Sequence, residues 1–127
     1  MNIVLQYKGQ RFLLFAIVCN DGSCPAVEFL DELKQNDLGS HKSIVNVYLR
    51  HANSGPIMNI EKSRPIKGRD NLFEFKSKQG ARILYFYLPG KKTVLTHGFY
   101  KGAPTEPEYD RAENMRDQYI EESKNER

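Results

Sequence analysis

Ten of the 19 basic residues fall between Lys62 and Lys101, together with only two of the 16 acids, Asp70 and Glu74. Aromatic rings stand among these cations: Phe73 and Phe75, then Tyr85, Phe86 and Tyr87, then Phe99 and Tyr100. Cations interleaved with rings suit a chain of phosphates with bases between them, because cations meet the phosphates and ring faces meet the bases. The net charge of +3 understates this, since Glu106 to Arg127 carries eight acids against four bases. A ligand responds to the local field rather than the sum. The expectation is a nucleic-acid-directed protein whose working surface lies in the second half of the chain.

The spacing sets which of these side chains meet. Strand alternation puts Glu74 and Lys76 on one face, with Phe73 and Phe75 on the other. A hairpin loop at Lys78-Gln79-Gly80 then sets Lys76 opposite Arg82. Two cations side by side repel, and a sheet tolerates them where an anion is meant to sit; a solvated rim is the plainer reading. Tyr100 and Lys101 follow a strand end. The loop Lys101–Pro104 closes one side of a cleft with Lys76 and Arg82 on its floor, while Lys67 and Arg69 line another side and Lys78 stands at the hairpin tip. His97 is placed on the side of Leu95 and Phe99, where a core histidine competes with a catalytic one. Tyr85 and Tyr87 share a face with Ile83 and read as core.

The elements that must hold these residues follow from periodicity and turn chemistry. Arg11–Cys19 is a strand closed by Asn20-Asp21-Gly22, and Ile3–Tyr7 is a possible extra N-terminal strand within residues 1–10. Pro25 opens a helix with Val27, Phe29, Leu30 and Leu33 inward. A second helix is expected over Lys42–Ala52, stopped by Asn53-Ser54-Gly55-Pro56. Met58–Gly68 shows no period and reads as a loop. Leu72–Lys76, Ala81–Leu88 and Thr93–Phe99 form an antiparallel meander, with Gly80 and Gly90 supplying positive φ at the turns. Thr105-Glu106-Pro107-Glu108 fits a capping box before a last helix running to about Ser123. The fold class is α+β: a small twisted, mainly antiparallel sheet with two N-terminal helices and a C-terminal helix, in a single domain over residues 1–127.

Composition bounds the rest. With 39% hydrophobic and 28% charged residues in 127, the chain has enough apolar content for one ordinary core. Its longest apolar run, Phe12–Cys19, is too short to span a bilayer, and no export signal is visible. Two cysteines, Cys19 and Cys24, are too few for a disulfide scaffold, and His41, His51 and His97 are scattered rather than clustered for a metal. A cytoplasmic protein without cofactor, metal or membrane partner is expected, its two thiols reduced and a disulfide between them dispensable.

The residues also resemble a known family. Pro25-Ala26-Val27-Glu28-Phe29-Leu30, Pro65-Ile66-Lys67, Asn71–Lys76, Ala81–Phe86, Leu95–Lys101, Pro107-Glu108 and Ala112 together resemble the RelE/HigB-like toxins of type II toxin–antitoxin systems, in the phage-derived HigB-like branch of the RelE/ParE superfamily. The likeness spans about four-fifths of the chain and implies a RelE-like fold. It further implies a metal-independent endoribonuclease cleaving mRNA in the ribosomal A site, and a cognate antitoxin partner. By matching position Arg82 would stabilise the phosphate, Lys67, Lys76 and Lys101 would assist, and His97 or Tyr100 would move a proton. Arg82→Ala is then expected to abolish toxicity while leaving the domain folded. The family commonly has arginine at the position of Lys76 and a lysine pair at Tyr100-Lys101. The alternatives are a non-enzymatic ParE-like toxin acting on DNA gyrase, or a phage protein that binds RNA or the ribosome without cleavage; a shared fold does not separate them.

Overall fold

In the computed structural model, which describes residues 1–102 and 104–125, the chain opens with a hairpin. β1 (Asn2–Lys8) and β2 (Leu13–Val18) pair antiparallel, from Asn2 with Val18 to Lys8 with Leu13. Gly9 follows β1 where a Cβ would lie 2.2 Å from the Ala52 carbonyl oxygen. That oxygen accepts hydrogen bonds from the Arg11 and Phe12 amides, each at 2.9 Å, so the glycine lets the hairpin reach the helix beneath it.

α1 (Pro25–Asn36) starts on a proline whose missing N–H costs nothing in the first turn. Its Glu28 carboxylate accepts from the Cys24 N–H at 2.7 Å. The helix ends at Asp37, which at once caps α2 (Leu38–Ser54) by accepting the Ser40 N–H at 3.2 Å. The second helix thus begins a turn earlier than the Lys42 start read from the sequence. A capping aspartate is worth about 1 kcal/mol, which offsets a comparable cost for Gly39 inside the first turn.

The remaining strands are β3 (Ser63–Pro65), β4 (Phe73–Lys76), β5 (Ala81–Leu88) and β6 (Lys92–Tyr100), followed by α3 (Glu106–Asn125). The six-stranded sheet has the order β1-β2-β6-β5-β4-β3. Among the described residues only the central β2–β6 pair is parallel, from Leu13 with Lys92 to Ala16 with Leu95. β3 lies in the stretch read as a loop. It is three residues long, shows no alternation, and sits on the outer edge, where Pro65 need not donate to a further strand.

Helices cover both faces. α1 and α2 pack Phe29, Leu33, Ile44 and Val47 against Leu14, Phe75, Ile83, Tyr85 and Leu95. On the other face, Tyr109 and Ala112 of α3 meet Leu84, and Met115 meets Ile17, Phe86 and Val94. Fully burying an aromatic ring such as Phe75 contributes about 1.5–3 kcal/mol. The α+β class, the two N-terminal helices, the C-terminal helix and the mainly antiparallel sheet are those expected. No helix among the described residues is long and apolar enough to cross a membrane.

Candidate nucleic-acid interface

At one end of the sheet, on the α3 side, four cations surround one carboxylate. β4 and β5 pair Lys76 with Arg82 in the register expected from the hairpin loop, with Gly80 at φ 96°. Glu74, two residues before Lys76 on the same face, has no exposed surface. Its Oε1 accepts from Arg64 Nε at 2.7 Å and from the Arg82 guanidinium, and its Oε2 accepts from the Tyr109 hydroxyl at 3.3 Å. β3, β4, β5 and α3 each supply one member of this hub. Arg82 is itself buried, whereas the Arg64 side chain is 43% exposed and the ammonium of Lys76 stands nearby, 3.4 Å from the Ile60 carbonyl oxygen that accepts from it.

The electrostatics follow from the crowding. Burial first, then the positive charges of Arg64, Arg82 and Lys101, hold the Lys76 ammonium below its ordinary pKa, and Glu74 offsets part of this. The Arg64 guanidinium is pushed the other way by its bond to Glu74. Lys101 joins the cluster because its N–H donates to the Gly80 carbonyl at 2.8 Å, which carries β6 past its last strand residue. Beside the hub, Arg64, Lys67, Thr105 and Tyr109 line a cavity of about 240 Å³, and Lys78 stands exposed at the hairpin tip. Of the expected loop Lys101–Pro104, Ala103 lies outside the described residues.

Other residues singled out from the sequence are placed elsewhere. Tyr100 pairs with Ala81, so it faces away from Arg82, towards Phe29; its hydroxyl donates to the Asp37 carboxylate at 3.0 Å. Arg69 is clamped by Glu106 at 2.6 Å, Asp110 at 2.7 Å and Glu113 at 3.2 Å, and rests over the Tyr109 ring. His97 is buried, with Nε2 3.3 Å from Glu108, and burial together with the nearby Arg111 pushes its pKa down to about 4. Nor does it share a side with Leu95. Ile83 pairs with Gly98 and Tyr85 with Leu95, so β6 carries one extra residue, and this bulge turns Leu95 to the α1 side and Phe99 to the α3 side. Tyr85 lies in the core, bonded to the Ser63 hydroxyl at 2.7 Å. Arg64, Glu74 and Tyr109 were missed as a unit, because their meeting depends on β3 and on how α3 docks. The one local signal was a lone acid alternating with Lys76 in a basic stretch. Among the described residues no group of three or more His, Cys, Asp or Glu is arranged to hold a metal.

Residues 28–115 match the family described as phage derived protein Gp49-like (DUF891). The chain belongs to this family. Two solved structures share the fold. One is described as the structure of the YoeB dimer from Staphylococcus aureus: it is 18% identical with a TM-score of 0.51, and the match covers 63% of this chain and 92% of that one. The other, described as a YoeB/ParE toxin from Agrobacterium tumefaciens, is 15% identical with a TM-score of 0.50, covering 63% and 94%. No curated protein sequence resembles the chain closely enough to add to this. The Gp49-like family and the fold of the YoeB/ParE toxins together bear out the resemblance to the RelE/ParE superfamily. The match to the Gp49-like family begins inside α1, so β1 and β2 lie outside it.

Proposed function

We propose that this Gp49-like protein is the toxin of a type II toxin–antitoxin pair and acts as an endoribonuclease on mRNA held by the ribosome. The observation that carries the reading is the gathering of Arg64, Lys76, Arg82 and Lys101 around Glu74 at one end of the sheet. Four cations against one carboxylate leave a surplus of positive charge where extra negative charge would develop on a phosphate. Fixed cations in a partly dry setting favour that charge more than water does.

The reaction is in-line attack of a ribose 2′-oxygen on its adjacent phosphorus. The new P–O2′ bond forms as the P–O5′ bond breaks, leaving a cyclic phosphate and a 5′-hydroxyl end. Arg64, exposed and forked, suits the non-bridging oxygens, and Lys101 and Lys67 extend the field along the strand. Arg82 acts from behind, held by Glu74. In its neutral form Lys76 suits taking the proton from the 2′-hydroxyl, because its pKa is already lowered and the arginines beside it do not release protons. Water supplies the proton that the leaving 5′-oxygen takes up. His97 and Tyr100, tied to Glu108 and Asp37, are better read as structural. An antitoxin segment rich in acids would neutralise the same surface.

Primer extension on a reporter mRNA in a purified translation system tests this, comparing the unaltered protein with Lys76→Ala and Arg64→Ala. Ribosome-dependent cuts that disappear in the variants are expected. Uncut message in the presence of folded protein would remove the nuclease reading, and inhibition of gyrase supercoiling in a parallel assay would then favour the ParE-like alternative.

A further inference from the structure

A second cavity lies at the opposite end of β5 from the cation cluster. Its volume is about 480 Å³, within the range of small-ligand sites. Leu88 is six strand steps on from Arg82, which sets the two sites roughly 20 Å apart. Tyr87, Leu88 and Lys92 line it from the hairpin of β5 and β6, and Tyr119, Ile120 and Lys124 from the last turns of α3. Its walls are fixed. The Asn71 side chain, also in the lining, accepts from the Tyr87 N–H and donates to the Tyr87 carbonyl oxygen, both at 2.9 Å. Arg116 ties α3 to the same turn through the Asp70 carbonyl oxygen.

The lining is chemically one-sided. It holds two lysines, Tyr119 and aliphatic surface, and no carboxylate. Tyr87 contributes its backbone, its ring being turned to the opposite face of the sheet against Phe12, His51 and Phe73. Neither Lys92 nor Lys124 is ion-paired among the described residues. Of the two acids beside it on α3, Glu121 is outside the lining, and Glu122 accepts from the Met1 ammonium at 3.1 Å and from Asn20 at 3.2 Å. Hydrophobic core residues of the α3 face, Phe86 and Met115, lie beneath and are not part of the lining.

From this juxtaposition we infer that the cavity is a nucleotide site, taking a base against Tyr119, Ile120 and Leu88 and a phosphate on Lys92 and Lys124. A ring and aliphatic side chains give a base a face to stack on, and two lysines supply point charges for a phosphate without selecting its geometry. A nucleotide in an RNA chain and a free mononucleotide share this chemistry. The inference stands independently of the proposed cleavage, since no residue of the cavity belongs to the cation cluster.

The test is an NMR titration of the ¹⁵N-labelled full chain with adenosine 5′-monophosphate, adenosine alone, inorganic phosphate alone, and a short 2′-O-methylated RNA. Saturable shifts at the amides of Tyr87, Lys92, Tyr119 and Lys124 are expected with the mononucleotide. The Lys92→Ala/Lys124→Ala double variant should bind it at least about tenfold more weakly while keeping the dispersed spectrum of the folded chain. If RNA shifts the same amides at lower concentration, the ligand is part of a chain; if only the mononucleotide does, it is free; both uphold the site. No saturable shift at these amides, equal binding of inorganic phosphate alone, or shifts confined to the surroundings of Lys76 would overturn it.

Discussion

Glu74 is a carboxylate with no access to water and donors from Arg64, Arg82 and Tyr109 around it. Removing one partner of a buried ion pair leaves a charge poorly compensated, at a cost of about 3–5 kcal/mol. Arg82→Ala is therefore expected to lower stability by roughly 3 kcal/mol in urea unfolding, so its loss of toxicity is to be read beside a check that the domain is still folded. Lys76→Ala is the cleaner probe of chemistry. It should reduce cleavage about 100-fold or more with an unchanged urea midpoint, whereas Lys78→Ala at the exposed hairpin tip should change either quantity little. Two histidines give the molecule a pH signature. Burial holds His51 at about 4, as it does His97, which faces Glu108 and Arg111. A folded pKa below the unfolded value means that the unfolded chain binds more protons between them. Stability is then full above about pH 6.5 and falls as the pH drops towards 4, by on the order of 2–4 kcal/mol for each histidine. Urea midpoints at pH 7.5 and pH 5 measure this, and a flat profile between them would contradict it.

Between elements, the tightest contact is the crossing of α1 over β6. A Cβ on Gly98 would fall 2.0 Å from the Phe29 ring, so that ring rests directly on the strand's backbone. Gly98→Ala is expected to cost at least about 2 kcal/mol through overpacking. Adding Phe29→Leu should return part of that loss, and a double-mutant cycle that shows no coupling would refute the crossing as the cause. Asp37 joins α1 to α2 in a single residue, and Asp37→Ala should cost about 1 kcal/mol, read from the urea midpoint. These junctions mark the boundary of what was legible. The β4–β5 hairpin, its Lys76–Arg82 register and the α1 core stripe were readable, because alternation, glycine turns and helical spacing are local. The start of α2 was hidden by a capping residue that also ends the helix before it. β3 was hidden by its length, and the face of His97 by a bulge that leaves no mark on sequence alternation.

At the scale of the whole molecule, three layers separate roles. α1 and α2 cover one face of the sheet with core alone, while α3 covers the other and leaves the cation cluster open at one end. Three acids of α3, Glu106, Asp110 and Glu113, grip Arg69 and so fasten the helix beside that cluster. Cys19 and Cys24 are free thiols. Excess reductant should therefore leave the melting temperature where it is, and a drop would show that a bond between them matters. That the basic surface lies in the second half was legible from charge counting; that its arginine is locked from behind needed the third dimension.

The parallel pairing of β2 with β6 carries a consequence for synthesis. β2 is among the first segments to leave the ribosome, yet its inner neighbour begins only at Lys92. Until then the β1–β2 hairpin has an unpaired edge and half of its apolar surface uncovered, and an isolated hairpin is marginal in water. Closing such a long loop is an entropic hurdle met late, so assembly waits on the last third of the chain. A nascent chain stalled before β6 would lack the central strand, Lys101 and the helix bearing Tyr109. On the activity proposed above, such a chain would be harmless to its own ribosome until nearly finished, its harm delayed by topology alone.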